Sequence, residues 1–239
     1  MLPASSSPHF ATTRWSVVLA ARREDAREAL EMLCRAYWYP LYAYTRRAGH
    51  DAEDAKDLTQ AFFAAMLEKD WLHVAAPERG RFRSFLLTML KRFLINEWHK
   101  NASLKRGGNI THVPLDAEDA ERRFAAEPEM SPDAMFERRW AMTLLDQTLA
   151  RIEAEFAAAG KKEAFEAMKH CLTLDRDHIR YSELAAQTGL NEGAARVAVH
   201  RLRKRFREVF RENITATLSD GEDVETEIRH VVAVLSASP

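Results

Sequence analysis

Between Tyr181 and Phe210 the chain reads YSELAAQTGLNEGAARVAVHRLRKRFREVF, a pair of helical patterns with room between them only for a tight turn. Gly189 supplies the residue that takes a positive φ at such a turn. Ser182 is placed to cap the first helix, and Asn191 to cap the second with its side-chain oxygen. In the second pattern Ala195, Val199, Leu202 and Phe206 recur at spacings of 4, 3 and 4, an apolar stripe that should pack inward. Arg196, Val197, His200, Arg201, Lys204 and Arg207 then fall on the other side. A DNA major groove admits one α-helix, and Arg and Lys on it reach phosphates or the acceptor atoms of guanine. A basic run by itself is equally what a solvated helix over a core displays. The capped, Gly-turned partner is what points to a helix-turn-helix reader of DNA.

The rest of the chain fits the same fold class. Glycine is sparse, alternating strand patterns are nearly absent, and Ala, Leu, Glu and Arg fill long stretches, so an all-α protein is expected. At 239 residues and 46% hydrophobic content there is material for two small helical domains joined by a linker. The first domain is placed at residues 12–105, with an N-terminal helix, an aromatic helix through LCRAYWYPLYAYTRRAG, a third from Ala52 to Leu67 and a fourth from Phe82 to His99. Pro40 should kink or restart the second of these, and Gly49 should end it. Residues 106–130, with Gly107, Gly108, Pro114 and Pro128 among many charges, read as the linker. The second domain spans 131–212, opening on Ser131 as cap and Pro132 in the first turn of a long helix that Gly160 breaks. Residues 213–239 form a tail.

The formal net charge of −1 conceals a blocked distribution. Arg79, Arg81, Arg83, Lys91, Arg92, Lys100, Lys105 and Arg106 stand against Glu97 alone, whereas acids dominate from Asp116 to Glu137 and again after Arg211. Separate basic blocks with acidic connectors fit two contacts on one polyanion. Cys34 and Cys171 are far apart and outside any CxxC pair, which supports neither a disulfide framework nor a zinc site. Met1 to Thr13 is Ser/Pro-rich without a basic start or an apolar core, and no apolar run approaches a membrane span; a soluble, cytoplasmic protein without membrane contact is expected.

The first basic block, PERGRFRSFLLTMLKRFLINEWHK, interleaves Phe82, Phe85, Phe93 and Trp98 with Arg79, Arg81, Arg83, Lys91, Arg92 and Lys100. Cations that follow phosphates and aromatic faces that receive unstacked bases are what single-stranded nucleic acid requires. Phe82, Leu86, Met89, Leu90 and Phe93 also have core spacing, so most of these aromatics should be internal and Trp98 is the better exposed candidate. Asp57 to Phe63, DLTQAFF, offers acid and amide groups on one side and Leu58, Phe62 and Met66 on the other, a face better suited to a protein partner than to DNA. HExxH, phosphate-loop, GxSxG and paired metal-ligand spacings are missing. Glu97 and His99, and the His170 and Cys171 neighbours, are read as structural; no metal, cofactor or catalytic residue is assigned, and the protein is not expected to be an enzyme.

In their order these motifs resemble bacterial sigma factors of the extracytoplasmic-function type within the sigma-70 family, over about Leu30 to Phe210. YWYPLYAYTRRAG is similar to the opening helix of the second conserved sigma domain, DLTQAFF to its polymerase-docking helix, and RFRSFLLTMLKRFLINEW to its promoter-melting and −10 segment. YSELAAQTGLNEGAARVAVHRLRKRF resembles the fourth conserved domain, which reads the −35 element. The resemblance implies that Asp57, Leu58, Gln60 and Phe63 bind core RNA polymerase at the β′ clamp helices, with the β flap as a second polymerase contact. It implies −10 DNA contacts from Arg79, Arg81, Arg83, Lys91, Arg92, Asn96, Trp98 and Lys100, and −35 contacts from Asn191, Arg196, Val197, His200, Arg201, Arg203 and Lys204. The partners so implied are core polymerase and promoter DNA, with room for an anti-sigma or other regulator. The linker and tail are similar to a subgroup in which both are long. A dimeric helix-turn-helix regulator acting without polymerase is the alternative; it would form free dimers on a palindrome.

In the tail Val224, Ile228, Val231, Val232 and Leu235 recur at helical spacing, with Glu225 and Arg229 four residues apart. A helix of that length is not stable alone in water, so the segment either frays or docks. If it docks, it packs on one of this chain's own domains or on a regulator, with its acids competing against DNA for the basic helix that ends at Arg211.

Overall fold

The aromatic helix fixes the first core. In the computed structural model, which describes residues 15–22, 27–103, 117–219 and 221–237, the helices are α1 (Trp15–Ala20), α2 (Arg27–Arg47), α3 (Ala52–Glu68), α4 (Trp71–Val74), α5 (Phe82–Ser103), α6 (Ala117–Ala125), α7 (Pro132–Ala158), α8 (Lys162–Met168), α9 (Tyr181–Thr188), α10 (Glu192–Thr215) and α11 (Val224–Ser236). The described residues contain no strand, so the protein is all-α. They fall into two units, one of residues up to Thr143 together with Ile214 onward, the other Leu144–Asn213.

In the first unit α2 buries Leu33, Tyr37, Leu41 and Tyr42, and Phe82 at the start of α5 meets Trp15 and Tyr37 edge-on at ring centroid separations of 5.9 and 5.8 Å. Phe62 of α3 and Phe93 of α5 make the same T-shaped contact at 5.7 Å, an arrangement that opposes the ring edge to the negative face. Pro40 neither ends nor restarts α2, which continues unbroken from Arg27 to Arg47. Pro40 is itself buried in a stretch of α2 where Trp38, Leu41 and Tyr42 are buried too, and that burial offsets the hydrogen bond its ring removes. Gly49, at φ 102°, lies just past its end as expected.

Residues 117–125 do not behave as a bare linker. They form α6, whose Glu121 accepts hydrogen bonds from Arg46 Nε at 2.8 Å and from the Tyr42 hydroxyl, while Arg46 and Arg47 lie over the Phe124 ring. Arg46, and after it Tyr42, hold the Glu121 carboxyl below its usual range against the effect of burial. Linker residues 106–116 lie outside the described set. Pro132 to Thr143, read from sequence as the opening of the second domain, belong to the first unit, where Met135, Phe136 and Trp140 are buried. Ser131 Oγ caps this helix by accepting from the Ala134 amide at 3.3 Å.

The second unit packs Ile152, Phe165, Met168, Cys171, Leu184, Ala195, Val199, Leu202 and Val209 into one core. The predicted stripe of α10 is what is buried, with Phe206 partly covered. Asn191 Oδ1 accepts from the Ala194 amide at 2.8 Å, whereas Ser182 caps nothing because α9 already begins at Tyr181. Gly189 sits at φ 69°, and a Cβ added there would meet nothing within 4 Å. Gly189→Ala should therefore cost only the left-handed backbone term, about 1 kcal/mol, read as a lower urea midpoint with unchanged helicity. A loss several times larger would mean that the turn is held by contacts rather than by backbone conformation.

Candidate functional site

On α3 the buried positions are Ala55, Thr59, Gln60, Phe62, Phe63 and Met66. The inward stripe therefore runs Ala55, Thr59, Phe62, Met66, and its complement Asp54, Asp57, Leu58, Ala61 faces outward at spacings of 3, 1 and 3. The sequence reading had put Leu58 with Phe62 and Met66. The structure puts it with the acids, because Thr59 takes the inward place and satisfies its hydroxyl on the Ala55 carbonyl at 2.7 Å. Gln60, 3% exposed, and Phe63, 2% exposed, are core side chains; of the four polymerase-contact candidates only Asp57 and Leu58 reach the surface.

Asp57 and Leu58 line a groove of about 420 Å³ with His50, Asp54, Ala61, Leu94, Glu97 and Trp98. Trp98 is 66% exposed and Ile95 57%, large apolar side chains left in solvent beside a wall of carboxylates. Such a groove suits an apolar segment carrying basic groups. His50, Leu94 and Glu97 entered no sequence reading of this site, because their approach to α3 is a tertiary event. The only sequence trace was Trp98 among charges.

The cations of the first basic block divide sharply. Arg79 and Arg92 are exposed, as is Asn96. Lys91 is half-exposed and pairs with Asp133 at 2.5 Å, a bond that raises its pKa. Arg83 is 3% exposed, its guanidinium stacked 3.8 Å over Trp140, with Nε donating to both oxygens of Glu137 at 3.1 and 3.3 Å and Nη2 lying 2.7 Å from Glu227 Oε1. Arg81 is partly exposed, with Nη2 2.6 Å from Glu227 Oε2 and Nε 3.3 Å from Glu222 Oε1. The side chain of Lys100 lies outside the described set. Arg83 is thus an internal tie in this structure, not a surface cation, and Glu137, Trp140 and Glu227 are the residues that sequence reasoning missed. One signal was present: Glu227 stands on the apolar face of α11, between Val224, Ile228 and Val231, where an acid requires a buried partner.

On α10, Asn191, Arg196, Val197, His200, Arg201 and Lys204 are exposed along one face. Arg196 lies over the Tyr181 ring at 4.2 Å, which holds the guanidinium beside the turn. Arg203 differs: its guanidinium donates to the Cys171 carbonyl at 2.7 and 3.0 Å and to the Leu174 carbonyl, tying α10 to the preceding loop. Arg205 is likewise committed, to Glu155 at 2.7 Å, and that hydrogen bond holds the Glu155 carboxyl below its usual range. Both cysteines are free and buried; burial, with Glu31 nearby, pushes the Cys34 thiol up to about 11, far from a reactive thiolate. Among the described residues no His/Cys/Asp/Glu group could hold a metal, and no helix is long and apolar enough to cross a membrane.

Residues 33–103, which run from within α2 to the end of α5 and include every residue lining the groove, match the family model Sigma-70 region 2. The chain therefore carries a sigma-70 region 2 domain, a class that in general binds core RNA polymerase and promoter DNA. No curated protein and no solved structure matches the chain.

The exposure pattern separates site from core within one helix. Trp98→Ala should leave stability within about 0.5 kcal/mol of the parent, whereas Phe93→Ala, five residues earlier and about 140° round the same helix, should cost roughly 3–5 kcal/mol. Denaturant titrations of both variants check this, and a comparable loss from Trp98→Ala would place that indole in the core instead.

Proposed function

We propose that the protein is a sigma factor of the extracytoplasmic-function type, acting in the cytoplasm, which joins core RNA polymerase, directs it to a promoter and helps open the duplex. The observation that carries this reading is the region 2 match over the helices that display an acidic, tryptophan-bearing groove. The groove is the polymerase-docking site: Asp57 and Leu58, with Trp98 close by, receive a basic, apolar-edged helix of the β′ clamp. Arg79, Arg92 and Asn96, with Lys91 once it leaves Asp133, follow the opened −10 strand. In the second unit the Gly189-turned pair α9 and α10 acts as a helix-turn-helix that lays Arg196, Val197, His200 and Arg201 in the −35 major groove, while Lys204 meets phosphate. Neither DNA contact need be tight, because tethering on one polymerase raises the effective concentration of the second. The chemistry of transcription belongs to the polymerase.

Reconstitution with bacterial core polymerase, followed by mapping of transcription starts across the genome, tests the reading. Start sites that share two spaced elements support it, and absence of any start dependent on this protein overturns it. Asp57→Ala with Leu58→Ala should weaken core-polymerase binding by roughly tenfold or more with circular dichroism unchanged; unaltered affinity of the folded variant removes the groove from the interface. Arg196→Ala should flatten the preference among −35 duplex variants, whereas Lys204→Ala should weaken all of them alike and lower the salt slope by about one phosphate contact. Identical sequence profiles for Arg196→Ala and the parent would take Arg196 out of base reading.

A further inference from the structure

The tail docks within the first unit, on residues of α5 and α7 and on Arg81 just before α5. Asp223 caps α11 by accepting from the amides of Glu225 and Thr226 at 3.2 and 3.0 Å. Val231 is fully buried, and Arg138 donates to the Leu235 carbonyl at 3.4 Å. Between these points Glu227, with none of its surface exposed, lies against both Arg81 and Arg83. Its oxygens approach the guanidinium nitrogens closely but off the in-line hydrogen-bond directions, and Arg83 Nη1 has no hydrogen-bond partner. The carboxylate is therefore held by charge more than by directed bonds. A guanidinium pair of this kind is chemically suited to a phosphodiester as well as to a carboxylate.

We propose that Arg81 and Arg83, braced on Trp140, form a phosphate-class anion site plugged by this chain's own Glu227, so that a single DNA strand and α11 compete for Arg81. The inference rests on the sigma-factor reading only for the identity of the strand. With α11 docked, Glu137, Glu222 and Glu227 set three carboxylates against two guanidiniums. Removing the two tail acids reverses the local sign, leaving Glu137 alone against the two arginines. Arg83 is the anchor, since Glu137 and Trp140 hold it whether or not Glu227 is present. Arg81 is the contested residue, because the acids it pairs with, Glu222 and Glu227, both come with the tail and its side chain keeps 28% of its surface in solvent. The 13 residues of α11 are too few to persist as a helix alone, and their fully buried apolar side chain is Val231, so undocking costs little beyond the ion cluster. A strand that takes Arg81 therefore has to displace Glu227 and loosens α11 in doing so.

The test uses the full chain and a fluorescein-labelled 20-nucleotide single strand of mixed sequence, with binding read by anisotropy over a salt series and α11 read by amide hydrogen exchange. Glu227→Gln should tighten strand binding by roughly three- to tenfold at low salt and steepen the logarithmic salt slope by about 0.7, one recovered phosphate contact. It should also speed exchange over residues 224–236. Arg81→Gln in the Glu227→Gln background should abolish the gain. In the unaltered protein, saturating strand should speed exchange of α11, a readout that stands even if Glu227→Gln fails to fold. Faster α11 exchange in Glu227→Gln without tighter binding, strand that binds while leaving α11 protected, or strand that binds neither form overturns the competition. Core-polymerase binding through Asp57 and Leu58 is measured separately, so loss of that binding would refute the sigma-factor reading, and its retention alongside any of those results would refute the plug alone.

Discussion

The buried guanidinium of Arg83 organises the first unit. Phe82 and Arg83 are adjacent and both are almost wholly covered, the ring among Trp15 and Tyr37, the guanidinium against Trp140, Glu137 and Glu227. A ring needs only apolar neighbours, which α1 and α2 supply. A guanidinium withdrawn from water needs carboxylates at contact distance, and α5 has none at that place, so α7 and α11 must be there. An apolar trio would hold three helices as firmly. The ion cluster adds a demand for particular residues at particular positions, because removal of either carboxylate leaves charge behind, at a cost of roughly 3–5 kcal/mol for a fully buried pair.

The same distinction sorts the other cations. Arg46 on Glu121, Arg203 on the Cys171 carbonyl and Arg205 on Glu155 are ties, whereas Arg92, Arg196 and Arg201 are displayed. Guanidinium suits the ties because its planar fork serves several acceptors at once: Arg203 reaches two carbonyls, and Arg46 reaches Glu121 and the His50 carbonyl. A basic face on a helical wheel overstates what a nucleic acid can meet. On α10, Arg203 leaves the set of exposed cations without any change in the net charge of the helix.

How far the sequence revealed this depended on the range of the interaction. The α10 stripe, the Asn191 cap, the Ser131 cap and the turns at Gly49 and Gly189 are settled within a few residues, and each was legible. Ser182 was misplaced because the first turn of α9 opens a residue earlier, which local chemistry does not forbid. The resemblance puts Gln60 and Phe63 on a partner surface, yet both are buried, because the inward face of α3 is set by its packing on α2 and by Phe93 of α5. Residues 117–125 carry too little apolar character to call a packed element. They are helical against α2 through Glu121 and Phe124, whose partners Tyr42, Arg46 and Arg47 lie some 75 to 79 residues earlier. The groove by Trp98 and the Glu227 plug are likewise products of tertiary approach, although an acid on the apolar face of α11 did mark where a buried base had to be.

The order in which the chain closes its contacts bears on which of them are labile. Arg81 and Glu222 are separated by 141 residues, and the whole of Leu144–Asn213 is made between them. On synthesis α2, α3 and α5 can pack their aromatic core long before Glu227 exists, with Glu137 as the earliest acid available to Arg83. The contact that closes so long a loop gains its stability only after most of the ordering entropy has been met elsewhere, and it is supported by one fully buried apolar side chain, Val231, and by ion pairs that salt weakens at their exposed edge. Local openings are drawn from elements of this kind, few in apolar contacts and distant in sequence from their partners. When α11 opens, Arg83 loses the Glu227 pair and part of its cover but keeps Glu137 and Trp140. The proposed competition thus sets a retained cation, Arg83 in the first turn of α5, two residues from a contested one, Arg81, just before that helix begins.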